Sequence, residues 1–209
     1  MMPTQRRVRT CMRDIVRRAM SRHEPNILTV DGFPPAAVMI LLYERDGEEH
    51  ILFQVRSQHV EHHKGEISFP GGARDAEDES LLVTALREVE EEIGVAREHI
   101  EVFGRFNDRT TRSRFLMTSF VGAIAHPGPY PFRLAAREVD VLLEVPITHL
   151  LDPISIELAV TESGQEMRSF RFGEHLIYGV TARVLADFLA LVAAEVAIDA
   201  ETASWAGPA

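Results

Sequence analysis

The sequence predicts an α/β domain in which helices cover both faces of a mixed β-sheet. Three observations carry that expectation. Residues 36–43 form an unbroken apolar run of strand length, the pattern of a strand buried on both faces. A glycine pair, Gly71-Gly72, leads into a segment whose apolar residues recur at helical spacing up to Ile93. Extended segments occur both before and after that helix, without the regular strand–helix alternation that builds an all-parallel sheet.

Seven arginines lie between Arg6 and Arg22, with Asp14 the one acid among them. Val8, Met12, Ile15, Val16 and Ala19 fall at helical spacing, so residues 1–24 read as an amphipathic helix. A transit peptide would be Ser-rich, and this stretch has only Ser21. Pro25 and Pro34-Pro35 mark an entry loop into a domain spanning 25–198. Asp46-Gly47 is a hairpin signal, returning the chain as a strand over 51–56. A short extended piece at 67–69 ends at Pro70. The central helix is expected from Asp78, as its cap, to Ile93, with Gly94 as the left-handed residue after its end. Strands are expected at 100–106, 115–123 and 141–145, then a hairpin of 154–161 and 167–172 around Ser163-Gly164. A last helix should cover 180–197, and residues 199–209 should form a disordered tail, with fraying from Ile198.

Bulk composition narrows the function. Hydrophobic residues make up 45% of the 209, enough for a real core. The net charge of −10 argues against a protein that holds nucleic acid through phosphate contacts. An anionic small molecule is still admissible if bound cations cancel charge locally. No stretch reads as a membrane span or an apolar signal core, and Cys11 is the single cysteine, so no internal disulfide forms. The expected compartment is a reducing cytoplasm.

The chemistry sits on the central helix. Leu82, Ala85, Leu86, Val89 and Ile93 make its apolar stripe. Glu88, Glu91 and Glu92 occupy i, i+3 and i+4 and converge on a neighbouring face. Three crowded carboxylates repel one another unless a cation sits between them, and oxygen-only ligation suits Mg²⁺ or Mn²⁺ rather than zinc. Arg87, four residues before Glu91, can orient a carboxylate through its planar fork. Gly71-Gly72 lets the backbone approach closely, so a carbonyl at Gly72 could join the coordination sphere.

The run Arg87-Glu88-Val89-Glu90-Glu91-Glu92-Ile93-Gly94-Val95 resembles the Nudix box, Arg-Glu-U-x-Glu-Glu-x-Gly-U with U aliphatic. The resemblance implies a Nudix-type α/β/α sandwich with a mixed sheet, hydrolysis of a nucleoside diphosphate linked to another group, and metal ligation by Glu88, Glu91 and Glu92. The box usually has Gly, five residues, Glu, and then Arg eight positions on. Counted from Gly72 the acid falls on Asp78, and Arg87 follows nine positions later, so one residue is extra and either Asp78 or Glu79 takes the acidic role.

That insertion is similar to the coenzyme A pyrophosphatase branch of the family, whose upstream signature runs Leu-Leu-Thr-x-Arg-Ser/Ala-x3-Arg-x3-Gly-x3-Phe-Pro-Gly-Gly. Here Leu52-Phe53-Gln54-Val55-Arg56-Ser57, Gly65 and Phe69-Pro70-Gly71-Gly72 fall at matching spacing. Val145-Pro146, Leu150-Leu151-Asp152-Pro153 and the stretch 177–183 also resemble the branch, so the likeness spans roughly 36–190. Glu61 stands where the branch has Arg, and Arg114 where it usually has Gly. The resemblance implies cleavage of coenzyme A into 3′,5′-ADP and 4′-phosphopantetheine. Other members of the family act on ADP-ribose, NADH or dinucleoside polyphosphates, and some domains of this fold only bind nucleotides. The intact carboxylates favour catalysis.

The implied reaction is attack of a metal-activated water on one phosphorus. Glu88 or a loop acid would take the proton. Glu138 precedes the Val141 strand, where such enzymes often carry a further ligand or base. Arg56, Lys64, Arg109, Arg112 and Arg114 are candidate phosphate contacts, and His59, His62 and His63 read as loop residues with no zinc spacing. Phe103, Phe106 and Phe115 read as core. A homodimer is a further expectation that no particular surface in the sequence supports.

Overall fold

The computed structural model describes residues 11–57, 65–160 and 166–204, with side chains up to Glu201. Val8, Lys64, Glu61, the three loop histidines and the Ser163-Gly164 turn lie outside the described residues.

Helix α1 (Met12–Arg22) is the amphipathic helix the arginine-rich segment predicts. Ile15, Val16, Ala19 and Met20 are buried, each aliphatic contributing on the order of 2 kcal/mol of burial. Its arginines are answered by acids of the domain. Arg13 forks onto Glu49, and Arg17 reaches Glu101 at 2.9 Å. Arg18 and Arg22 both donate to the buried Glu195, and Arg18 also holds Asp199. This segment is therefore a fixed part of the domain.

Strands β1 (Pro35–Arg45) and β2 (Glu48–Arg56) form the expected hairpin. They part after Leu42 and Ile51. Into the gap step two short strands, β3 (Ile67–Ser68) on β2 and β4 (Gly71–Ala73) on β1. Phe69 and Pro70 cross from one to the other, and the Pro70 carbonyl accepts the Met39 N–H at 2.9 Å. Beyond β1 lie β6 (Leu116–Ile124), the parallel neighbour, and β5 (Ile100–Thr110) at the edge. Strand β7 (Val139–Pro146) closes the other side against β2. The seven-stranded sheet is mixed, as the sequence predicts.

Helix α2 (Leu81–Ile93) covers one face, packing on Ala37, Met39, Leu41 and Leu52. Helices α1 and α4 (Gly179–Ser204) cover the other, against Val38, Ile40, Phe53 and Val121. The opposite choices of neighbouring β1 residues are the period-2 alternation of a strand buried on both sides. Phe106 lies in that second core with Phe188, as expected of a core aromatic. After the short α3 (Ile147–Leu151), β8 (Ile156–Val160), β9 (Glu166–Phe172) and β10 (His175–Ile177) make a separate antiparallel sheet. The expected hairpin is β8 and β9, and β10 is an addition to it.

Among the boundaries that differ from the sequence reading, two are set by distant partners. Helix α4 does not fray at Ile198 but continues to Ser204, so the first part of the expected disordered tail is helical. The ion pairs from α1 to Glu195 and Asp199 hold those turns down. Helix α2 starts at Leu81 rather than Asp78. Ser80 is its cap, its hydroxyl accepting the Val83 N–H at 3.2 Å, and Asp78 has another task. Among the described residues no helix is long and apolar enough to cross a membrane.

Candidate active site

The gap between β1 and β2 is where the carboxylates gather. Glu92, the penultimate residue of α2, enters it from the helical face and is 2% exposed. Its Oε2 accepts the Gly71 N–H at 2.8 Å, and its Oε1 accepts Nε2 of Gln54 at 2.7 Å. Arg56 follows two residues after Gln54, so strand alternation puts both on the α2 face. Arg56 Nη1 stands 4.0 Å from Glu92 Oε1, and its buried Nε has no partner among the described residues. Burial pushes the Glu92 carboxyl up to about 7, although the Gln54 and Gly71 hydrogen bonds pull the other way.

Gly71 and Gly72 make this geometry possible. Gly71 has φ 153, and a Cβ there would lie 2.3 Å from the Ala37 carbonyl oxygen, so no other residue fits. A Cβ on Gly72 would lie 2.5 Å from Glu88 Oε1. Glu88 thus rests directly on the glycine backbone, one turn of α2 before Glu92. Desolvation raises its pKa, and the charges of Glu91 and Glu138 raise it further against the pull of Arg87. Glu138 is itself exposed, on a loop tied to β2 by the Ser57 N–H to Glu138 carbonyl bond at 2.8 Å.

Arg87 is the hub behind these acids. It forks onto Asp78, with Nε to Oδ1 and Nη2 to Oδ2 each at 3.1 Å, and its Nη1 reaches Glu88 and Glu91 at 2.9 Å. Asp78 also accepts from Thr84 and from the Asp75 N–H, and the Arg87 guanidinium holds its pKa down to about 2. Of the two acids the spacing left open, Asp78 is the buried one, and Glu79 is exposed. This corrects its reading as a helix cap. It pins the loop after Gly72 to the helix.

The three glutamates do not share one environment. Glu92 is buried, Glu88 half-buried, and the Glu91 side chain 59% exposed and turned to Arg87. Among the described residues no three acidic or imidazole groups stand close enough to cage an ion. The residues nevertheless fit a hard divalent cation. Two desolvated carboxylates, both shifted towards protonation, rest against backbone, with Arg87 2.9 Å from Glu88 and Arg56 4.0 Å from Glu92.

The candidate phosphate contacts divide. Arg56 is in the site. Arg109 is not: its guanidinium pairs with Asp187 of α4, on the sheet face opposite α2, so it serves packing there. Arg112 is exposed on the β5–β6 turn, which lies across β1 from β4. Arg114 on the same turn has φ 66, the left-handed region, and its guanidinium lies 5.4 Å from the Phe33 ring centre. Glycine at this position in the resembling branch is thus explained by the turn, and Arg114 occupies it at a cost of about 1 kcal/mol. A cleft of about 610 Å³ lies at the other end of β1, between Tyr43, Arg45, His126 and Tyr130, and contains none of these carboxylates.

Sequence reasoning missed Gln54. Its signal was available, since it shares a strand face with Arg56 two residues away.

Comparison with known proteins identifies the family. A profile of the NUDIX domain matches residues 33–155. The chain is 33% identical over 138 residues to an uncharacterized Nudix hydrolase NudL of Photorhabdus laumondii, covering 65% of this chain and 73% of that one. It is 32% identical over 168 residues to the peroxisomal coenzyme A diphosphatase NUDT7 of Mus musculus, covering 76% and 70%. Among solved structures, an Ap4A hydrolase binary complex from C. elegans superposes with a TM-score of 0.51 at 14% identity, over 79% of this chain and 98% of that one, a likeness of fold alone. The chain belongs to the Nudix family. It is a pyrophosphohydrolase.

Proposed function

We propose that this chain hydrolyses the pyrophosphate of coenzyme A or its derivatives, with Mg²⁺ or Mn²⁺ held by Glu88, Glu91 and Glu92. The observation that carries the hydrolytic reading is the pair of desolvated carboxylates, Glu88 and Glu92, against Gly71-Gly72 with Arg56 beside them. The substrate reading is supported by the likeness to the mouse protein named a coenzyme A diphosphatase and by the upstream Arg56, Gly65 and Phe69-Pro70-Gly71-Gly72 pattern.

A bound divalent cation would neutralise phosphoryl charge and lower the pKa of the attacking water. The chain's own residues do the rest. Arg56, whose buried Nε has no partner among the described residues, receives a phosphate oxygen. Arg87 orients Glu88 and Glu91 without facing the substrate. Glu88 or Glu138 accepts the water's proton, the charge of Glu138 being close enough to raise the Glu88 carboxyl. Arg112 and Lys64 are the remaining candidate phosphate contacts, Arg114 being engaged with Phe33. The supported ligand is a nucleotide diphosphate, acted on in the cytoplasm.

The test is chromatography of products from purified protein with Mg²⁺ or Mn²⁺ and a panel of coenzyme A, ADP-ribose, NADH and a dinucleoside polyphosphate. The expected result is 3′,5′-ADP and 4′-phosphopantetheine from coenzyme A, faster than any other turnover. Rapid cleavage of ADP-ribose with none of coenzyme A overturns the substrate assignment and leaves the hydrolase.

A further inference from the structure

We infer that Gln54 is a positioning residue that keeps Glu92 and Arg56 apart, leaving the carboxylate for a cation and the guanidinium for a phosphate. The inference rests on the metal-site reading of the carboxylates. It starts from a juxtaposition on one face of β2. Glu92 Oε1 faces two donors, the Gln54 amide at 2.7 Å and the Arg56 guanidinium at 4.0 Å. The amide holds the hydrogen bond, and the guanidinium stands just outside bonding distance.

Gln54 is suited to that task by its mounting. It is fully buried, and its backbone is fixed on both sides, opposite Ser68 of β3 and Leu142 of β7. With Gly71 N–H on the other oxygen, Glu92 is held at both ends in one orientation. Each oxygen then keeps a lone pair for a further partner. The second end of the Gln54 amide, Oε1, is buried and unpartnered among the described residues. That acceptor calls for a donor that arrives from outside the protein, and a hydrated cation carries such donors in its water shell.

Without the amide, the Arg56 guanidinium is a cation already 4.0 Å from Glu92 Oε1. A carboxylate and a guanidinium at that separation close into an ion pair, which would occupy both groups. The branch this chain resembles carries Thr at the position of Gln54, and a threonine hydroxyl is two bonds shorter than the glutamine amide. The device therefore belongs to this chain's own sequence.

The test is titration of the purified protein with Mn²⁺, followed by electron paramagnetic resonance, for the parent, Gln54→Met, Gln54→Thr and the double variant Gln54→Met/Arg56→Met. Circular dichroism and thermal unfolding establish that each variant is folded. Loss of Mn²⁺ affinity by about tenfold or more is expected in both single variants, the range seen when the support of a metal ligand is removed. Partial recovery is expected in the double variant, which a merely structural role for Gln54 would not produce. Affinities in folded Gln54→Met and Gln54→Thr equal to the parent's would overturn the inference while leaving the metal site intact. A parent protein that binds no Mn²⁺ removes the metal site and the inference together.

Discussion

Arg87 and Asp78 are joined by a two-pronged contact, Nε to Oδ1 and Nη2 to Oδ2, both at 3.1 Å. It ties the loop after Gly72 to the helix that carries the glutamates, nine residues later in the chain. With one residue more than the usual box between the glycine and the arginine, the acid still meets its partner. Asp78 lies in the loop just ahead of the Ser80 cap, and α2 begins at Leu81.

That contact makes stability depend on acid. The Asp78 carboxyl is held at about 2 by Arg87, below its ordinary 3.8. A depressed carboxyl stabilises the fold fully above its unfolded pKa and ceases to do so as pH falls through the folded value. Asp78→Asn should lower the thermal midpoint at pH 7 by several degrees, as expected for loss of a charged hydrogen bond worth about 2 kcal/mol. The gap to the parent should shrink between pH 4 and pH 2. Denaturant unfolding of both proteins across that window checks it, and a gap that stays constant contradicts the assignment.

Glu92→Gln should separate function from fold. Hydrolysis should fall by at least about a hundredfold, since the ligand charge is lost. The fold should persist, because the buried Gln54 amide can turn its Oε1, without a partner among the described residues, towards the new side-chain amide N–H. The thermal midpoint without metal should be unchanged or higher, since a neutral amide is buried at less cost than a carboxylate. Kinetics and calorimetry on the same preparation read both effects. Undiminished activity would remove Glu92 from the site.

Gly72→Ala and Gly71→Ala should fail in different ways. At Gly72 the new methyl meets the far end of Glu88, a side chain that can swing aside. The protein should fold, with its midpoint within a few degrees of the parent's and its activity reduced by about tenfold or more. At Gly71 the methyl meets the Ala37 carbonyl and Val38 Cα in the heart of β1, with φ at 153. That variant should lose more than about 3 kcal/mol or fail to fold. Thermal unfolding and turnover, measured side by side, distinguish the two glycines.

Much of this was legible in the chain because it depends on neighbours in sequence. The apolar stripe of α2, the hairpin at Asp46-Gly47 and the left-handed Gly94 follow from periodicity and turn chemistry. So does the alternation that buries both faces of β1. The amphipathic reading of the arginine-rich segment holds for α1, but its ion pairs with Glu195 and Asp199 were invisible, being more than 170 positions away. The helix cap was misread because Asp78 and Ser80 are both good caps, and only the distant Arg87 decides which one is drawn elsewhere. Arg109 could not be told from Arg56 by composition. Asp187, on another helix, claims it.

The sequence by itself determined the class of fold, the helix that carries the acids and the family signature, because helical and strand periods are local properties. Tertiary structure decided how those acids differ. Glu88, Glu91 and Glu92 are equivalent as letters, yet only Glu92 is driven into the gap between β1 and β2 and pushed up to about 7. The physical reason is desolvation. A carboxylate's behaviour is set by what surrounds it, and its surroundings here, Gln54, Gly71 and Arg56, come from other strands.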